Sequence, residues 1–173
     1  RREDVAGVRV VLIDDADDVG LLAARWAKEA GAIVVFDGTW QSDQLDVFLP
    51  LVDHAVVGEF FARRWLPEAD DDEILHRLTD MGAGTAVLTL GDRGCIAVHG
   101  QTRITQPAFQ VDVVDTTGAG DAFHGGYVAA LLEGAGLAAV LRFAAATAAL
   151  NCRALGGQQS LPTRDEVEAM LHR

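Results

Sequence analysis

Residues 113–127 read VVDTTGAGDAFHGGY. Gly118, Ala119 and Gly120 stand between two aspartates, Asp115 and Asp121, just before a run over 122–134 that reads as a helix. Helix N-termini present N–H groups with no partner, and small residues let an anion come close to them. A tight turn with Asp121 as helix cap explains one glycine and one aspartate, but not the whole run. A carboxylate beside an anion cradle is a poor arrangement for static anion binding, because like charges repel. The arrangement makes sense if Asp121 accepts a proton from a hydroxyl while the cradle offsets charge on a transferring phosphoryl group. The stretch therefore points to phosphoryl transfer to an alcohol.

The flanking sequence supplies a scaffold for that chemistry. Short apolar runs at 8–14, 32–37, 54–58 and 85–91 read as buried strands, and 18–30, 44–53 and 71–81 read as helical segments between them. The last of these carries Asp70, Asp71 and Asp72 at its positive end. CIAVHG and TRITQPA form a hairpin pair around Gly100, and 137–150 and 164–172 complete the helices. Strands that are continuously apolar and alternate with helices predict a mainly parallel sheet covered on both faces. In such sheets ligands lie beyond the C-terminal strand ends, where this reading puts Asp14, Asp37, Gly58, Gly91 and Asp115.

Composition narrows the function. The 173 residues suffice for a domain with a sizeable core, half of them are hydrophobic, and the formal net charge is −12. That charge argues against nucleic acid or an anionic membrane as a partner. No apolar run reaches the ~18–20 residues that span a bilayer, and the charged start carries no leader pattern, so a soluble cytoplasmic protein is expected. Cys95 and Cys152 read as buried small hydrophobes. Lys28 is the one lysine, and Glu29 follows it, which removes a phosphate-binding Gly-Lys-Ser/Thr loop. It also precedes the aspartate that a phosphoacceptor receiver would use, so the late lysine of such a domain is missing. DDADD over 14–18 occupies the place of a dinucleotide-binding glycine fingerprint.

DTTGAGDAFHGGY resembles the signature of the ribokinase-like (PfkB) carbohydrate kinases. TLGDRG (89–94) is similar to that family's nucleotide-binding strand and turn, RFAAATAALNCRALGGQQSLP (142–162) to its C-terminal helix and loop, and VVFDG (34–38) to its mid-domain strand. The resemblance implies a three-layer α/β/α ribokinase-like fold with a mainly parallel central sheet. It implies ATP-dependent phosphorylation of a sugar or sugar-like hydroxyl, with ATP, Mg2+ and K+ as cofactors. Asp121 would be the general base, and the amides of Gly118, Ala119 and Gly120 the anion hole. Thr89, Gly91, Gly94, Thr116 and Asn151 would bind the nucleotide. Asp115, Thr117, Ala154, Gly156 and Ser160 would hold the monovalent cation, with an oxygen from Asn151 as well. Asp14 and Asp37 are weaker candidates for facing the substrate.

The resemblance covers the chain but only the C-terminal part of the family, whose members run to about 300 residues. The whole of 1–173 is therefore expected to be one partial domain, the ATP-binding half, lacking the lid and sugar-binding segment. A truncated piece is the favoured explanation, and the edge it would expose invites self-association, such as a homodimer. Two positions depart from the family. Gly58-Glu59-Phe60-Phe61 stands at its Asn-x-x-Glu motif, and Gln41 stands where an arginine often follows the strand ending at Asp37. Magnesium can still be held by phosphates and water. DDADD is read as a solvated rim loop in which Asp17 or Asp18 caps the next helix, His124 as a packed or rim histidine, and Trp40 as a core cap or a stacking surface. The rival to a kinase is a nucleotide-binding remnant without turnover.

Overall fold

The computed structural model describes residues 1–172. They divide into two compact units, residues 1–90 with 96–104, and residues 91–95 with the chain from 105 onward.

The first unit carries most of the sheet. Strands β1 (Val10–Ile13), β2 (Ile33–Gly38), β3 (His54–Gly58), β4 (Thr85–Thr89), β5 (Cys95–His99) and β6 (Thr102–Gln106) lie in the sheet in their sequence order. β1 to β4 pair in parallel, with Val10 opposite Ile33, Val35 opposite His54, and His54 opposite Thr85. Only two residues, Gly100 and Gln101, join β5 to β6, a link short enough only for antiparallel neighbours. Val34, Val35 and Phe36 are all fully buried. Successive strand residues point to opposite faces, so both faces of the sheet are covered. The α/β class expected from the sequence is the one observed.

Helices α1 (Asp18–Glu29), α2 (Leu45–Phe48), α3 (Glu59–Trp65) and α4 (Asp71–Asp80) belong to this unit. The Asp17 carboxylate accepts the Gly20 N–H at 2.7 Å, so DDADD does cap a helix as expected. Asp70 and Glu73 cap α4 reciprocally, each carboxylate accepting the other's backbone N–H. Phe36 meets Phe48 edge-on at 5.1 Å and Phe61 at 6.4 Å in the core. Lys28 is tied to Asp53 at 2.6 Å, and the same carboxylate accepts the Val34 N–H at 2.8 Å. The single lysine thus has a structural partner.

The second unit is helical: α5 (Ala119–Leu132), α6 (Leu137–Asn151) and α7 (Arg164–Leu171). The short link after α5 makes α5 and α6 antiparallel neighbours. They approach closely at Gly126, where a Cβ would lie 2.7 Å from Thr147 Oγ1 and 3.1 Å from Ala144 Cα. Val167 of α7 joins Ala146 and Leu150 in a small apolar cluster with Phe109 and Phe143.

Three local readings change. α3 was not expected, because Gly58 gives no capping side chain and its aromatic residues suit a strand equally well. Its buried face, Phe61 and Ala62, emerges only in the packed fold. Asp115 does not end a strand, since residues 107–118 contain none. α5 begins at Ala119 rather than 122, so Asp121 lies inside the first turn; the capping position is Gly118, in the left-handed region at φ 74°.

Candidate functional site

In the second unit, the loop before α5 and the loop after α6 are joined by a closed set of hydrogen bonds. Asp115 Oδ1 accepts the Thr117 N–H at 2.9 Å, and Asp115 Oδ2 accepts the Gly156 N–H at 2.9 Å. These donors stabilise the carboxylate and hold the Asp115 carboxyl below its ordinary value. The Ser160 hydroxyl donates to Asn151 Oδ1 at 3.1 Å and is in contact with the Gly156 carbonyl. Asn151, fully buried at the end of α6, donates through Nδ2 to the Thr117 carbonyl at 3.1 Å. The Val114 and Asp115 amides both reach the Cys152 carbonyl, at 2.8 and 3.2 Å. Gly118 and Gly157 touch through their backbones: a Cβ on Gly118 would lie 2.7 Å from Gly157 Cα.

This network sets the start of α5. The Ala119 N–H donates to the Thr116 carbonyl at 3.1 Å, and the Gly118 carbonyl takes the Ala122 N–H at 2.8 Å. Among the described residues the amides of Gly118, Gly120 and Asp121 find no acceptor. A cradle at this turn therefore consists of those three, with Ala119 supplying its small side chain and not its amide. The Asp121 carboxylate is exposed and has no partner within the described chain. Free amides and a free carboxylate thus share one helical turn.

The other expected residues fall as follows. Thr89 ends β4 in the first unit, and its hydroxyl reaches the Val57 carbonyl at 3.4 Å. Gly91 and Gly94 belong to the second unit; Gly91 opens a 3-10 turn over Gly91–Arg93 and Gly94 follows it. Gly94 has φ 91°, and a Cβ there would strike Gln106 O at 2.1 Å. Thr116 is exposed and contributes its carbonyl to the turn. Ala154 is exposed beside Gly156. Asp14 is exposed just past β1, and Asp37 lies within β2 with Thr39 Oγ1 donating to it at 3.2 Å. Glu59, at the family's magnesium motif, begins α3 and faces Arg63 at 3.5 Å. Trp40 is 57% exposed and meets the equally exposed Phe60 edge-on at 5.9 Å, so it does not cap the core. Cys95 and Cys152 are buried as expected, and burial pushes the Cys95 thiol up to about 12.

Comparison with known proteins decides the lineage. The sequence profile described as pfkB family carbohydrate kinase matches residues 4–164. The chain belongs to that family. It is 36% identical over 156 residues to the 2-dehydro-3-deoxygalactonokinase of Haloferax volcanii, covering 84% of this chain and 49% of that protein. It is 36% identical over 151 residues to the ribokinase of Haemophilus influenzae, with the same coverage. Its fold superposes on the ribokinase of Thermotoga maritima with a TM-score of 0.90 at 27% identity, over 99% of this chain and 59% of that one. It also superposes on Arabidopsis thaliana ribokinase complexed with ribose and ATP, with a TM-score of 0.90 at 28% identity, over 98% and 58%. The fold is ribokinase-like. This pfkB-family chain spans about half the length of the curated relatives it matches.

Family membership sharpens the question of metals. Among the described residues no three His, Cys, Asp or Glu side chains gather to hold an ion. A magnesium ion that keeps much of its water and rides on phosphates needs no such cage. The Asp115 network offers a different donor set: a carboxylate, carbonyls and a hydroxyl, all hard oxygens suited to a hard cation. No helix among the described residues is long and apolar enough to cross a membrane.

Proposed function

We propose that this chain is the nucleotide-binding, base-bearing part of an ATP-dependent carbohydrate kinase. The observation that carries the reading is the first turn of α5, where unclaimed amides of Gly118, Gly120 and Asp121 stand beside an unpartnered Asp121 carboxylate. Asp121 removes the proton from the acceptor hydroxyl as its oxygen attacks. The amides and the positive end of α5 offset charge on the phosphoryl oxygens. Gly118 and Gly120 keep side chains out of that space. Magnesium supplies charge neutralisation on the phosphates when bound. Thr89, Gly91, Gly94 and Thr116 line the nucleotide in this reading. The linked oxygens of Asp115, Thr117, Asn151, Gly156 and Ser160, with Ala154 beside them, hold a potassium ion that stiffens the loop. Asp14 and Asp37 face the acceptor, a sugar or similar polyol.

Positioning and electrostatics carry most of the catalysis in such a transfer. The test is titration of the chain with Mg-ADP and Mg-ATP, with and without potassium, followed by turnover against a panel of sugars. Saturable binding strengthened by potassium is expected. Asp121→Asn is expected to bind nucleotide within about threefold of wild type and to lose turnover by at least ~10²-fold, the scale of general-base catalysis. Unchanged turnover would remove Asp121 from its role. Binding without turnover by the wild-type chain would identify a nucleotide-binding module instead. Absence of binding would end the nucleotide reading.

A further inference from the structure

His124 lies one turn beyond Gly120 on α5 and is 5% exposed. Its Nδ1 sits 2.9 Å from the Gly120 carbonyl oxygen. A carbonyl only accepts, so Nδ1 carries the proton and donates. The Gly120 carbonyl and the Asp121 N–H belong to one planar trans peptide and point in opposite directions. Holding the carbonyl therefore fixes where the Asp121 N–H points. That amide is one of the three at this turn with no acceptor. Gly120 has no Cβ, and nothing lies within 4 Å of where one would be, so no side-chain packing holds this residue beyond the helix itself.

We infer that His124 is a positioning residue: through the Gly120–Asp121 peptide it aims the Asp121 amide at the phosphoryl group that the turn receives. The inference rests on the nucleotide reading above. His124 touches neither substrate nor nucleotide in this account. Asp121 stands at the far end of the same peptide, so the tether holds its Cα, and with it the base.

Three chains test this: wild type, His124→Asn and His124→Leu. Asn places Nδ2 as many bonds from Cα as His places Nδ1 and keeps the donor; Leu keeps apolar bulk and removes it. Imidazole 15N spectra of the wild-type chain are expected to show the Nδ1-protonated tautomer. The Asp121 amide resonance is expected to move in His124→Leu and much less in His124→Asn. Calorimetry with Mg-ADP and with Mg2+ and the β,γ-imido analogue of ATP supplies the second readout. His124→Leu should bind Mg-ADP as wild type does but lose about tenfold on the triphosphate analogue, the scale of one hydrogen bond to a charged group. His124→Asn should stay within twofold on both. An Nε2-protonated tautomer overturns the inference, as do a His124→Leu chain that binds the analogue like wild type and a His124→Asn chain as weak as His124→Leu. A wild-type chain that binds neither nucleotide overturns the nucleotide reading and the phosphate-aiming role with it; the tautomer and the amide shift then still decide whether His124 holds the peptide.

Discussion

Asp115 and Gly156 are 41 positions apart in sequence and joined by one hydrogen bond of 2.9 Å, from the Gly156 N–H to Asp115 Oδ2. The bond ties the loop that enters α5 to the loop that leaves α6. Gly156 has φ 83°, so glycine is what permits the turn that presents this amide.

Acid should open that tie. The Gly156 and Thr117 donors hold the Asp115 carboxyl below its ordinary value of 3.8, whereas in the unfolded chain it titrates near that value. A depressed carboxylate stabilises the fold above the unfolded value, and the stabilisation is lost as pH falls through the folded one. Hydrogen-exchange protection of the Gly156 and Thr117 amides is therefore expected to decline from about 3.8 downward. In Asp115→Asn, whose side chain does not titrate, this acid-dependent decline should vanish. A decline of the same size in that variant would assign it to another group.

Gly118 and Gly120 should respond oppositely to a methyl group. At Gly118 alanine meets a left-handed backbone and a Cβ position 2.7 Å from Gly157 Cα. The backbone conformation alone costs about 1–2 kcal/mol, so urea unfolding should show a loss of at least ~2 kcal/mol once the contact is added. At Gly120 nothing lies within 4 Å of the Cβ position, and alanine in a helix gains up to ~1 kcal/mol. Gly120→Ala should fold as well as wild type or better, yet bind Mg-ATP about tenfold more weakly, because the methyl fills the approach to the free amides. Equal binding would move the anion elsewhere.

His54 gives a second pH dependence. Burial holds its imidazole below the ordinary value of 6.5, with His99 adding to the effect and Asp53 opposing it. Below 6.5 the unfolded chain takes up a proton that the folded chain refuses, so stability falls as pH drops from there towards the folded value. His99 itself bonds through Nδ1 with Thr85 Oγ1 at 2.9 Å and the Gly84 carbonyl at 3.0 Å. Melting temperatures at pH 7 and pH 5 should differ less in His54→Gln than in wild type. An identical difference in the two chains would show that His54 is not the titrating group.

The strands and most helices were legible because their signals are local. Continuous β-branched runs gave β1 to β4, and Asp17, Asp70 and Gly31 marked helix ends by their own chemistry. The glycine turn was legible as well, since few structures require Gly-Ala-Gly followed by aspartate. What the sequence hid depends on distant partners. Nothing in residues 113–120 shows that Asp115 spends both carboxylate oxygens on backbone amides, one of them in a loop after α6. Nor does it show that the Ala119 amide is taken up by the turn itself, which leaves the open amides at Gly118, Gly120 and Asp121. His124 is buried, as a packed histidine would be, but its 2.9 Å contact with a backbone oxygen one turn back does not show in the sequence. α3 was hidden by aromatic residues that suit strand and helix alike.

In β1 to β4 each strand docks beside the one that precedes it in the chain. No strand has to wait for a later one to be slotted between it and its neighbour. A ribosome delivering this chain from its N-terminal end would release each helix-and-strand pair next to a finished surface, so the sheet can grow in the order of synthesis. The Gly118–Asp121 turn, which follows β6 in the chain, would then take its shape only after the sheet.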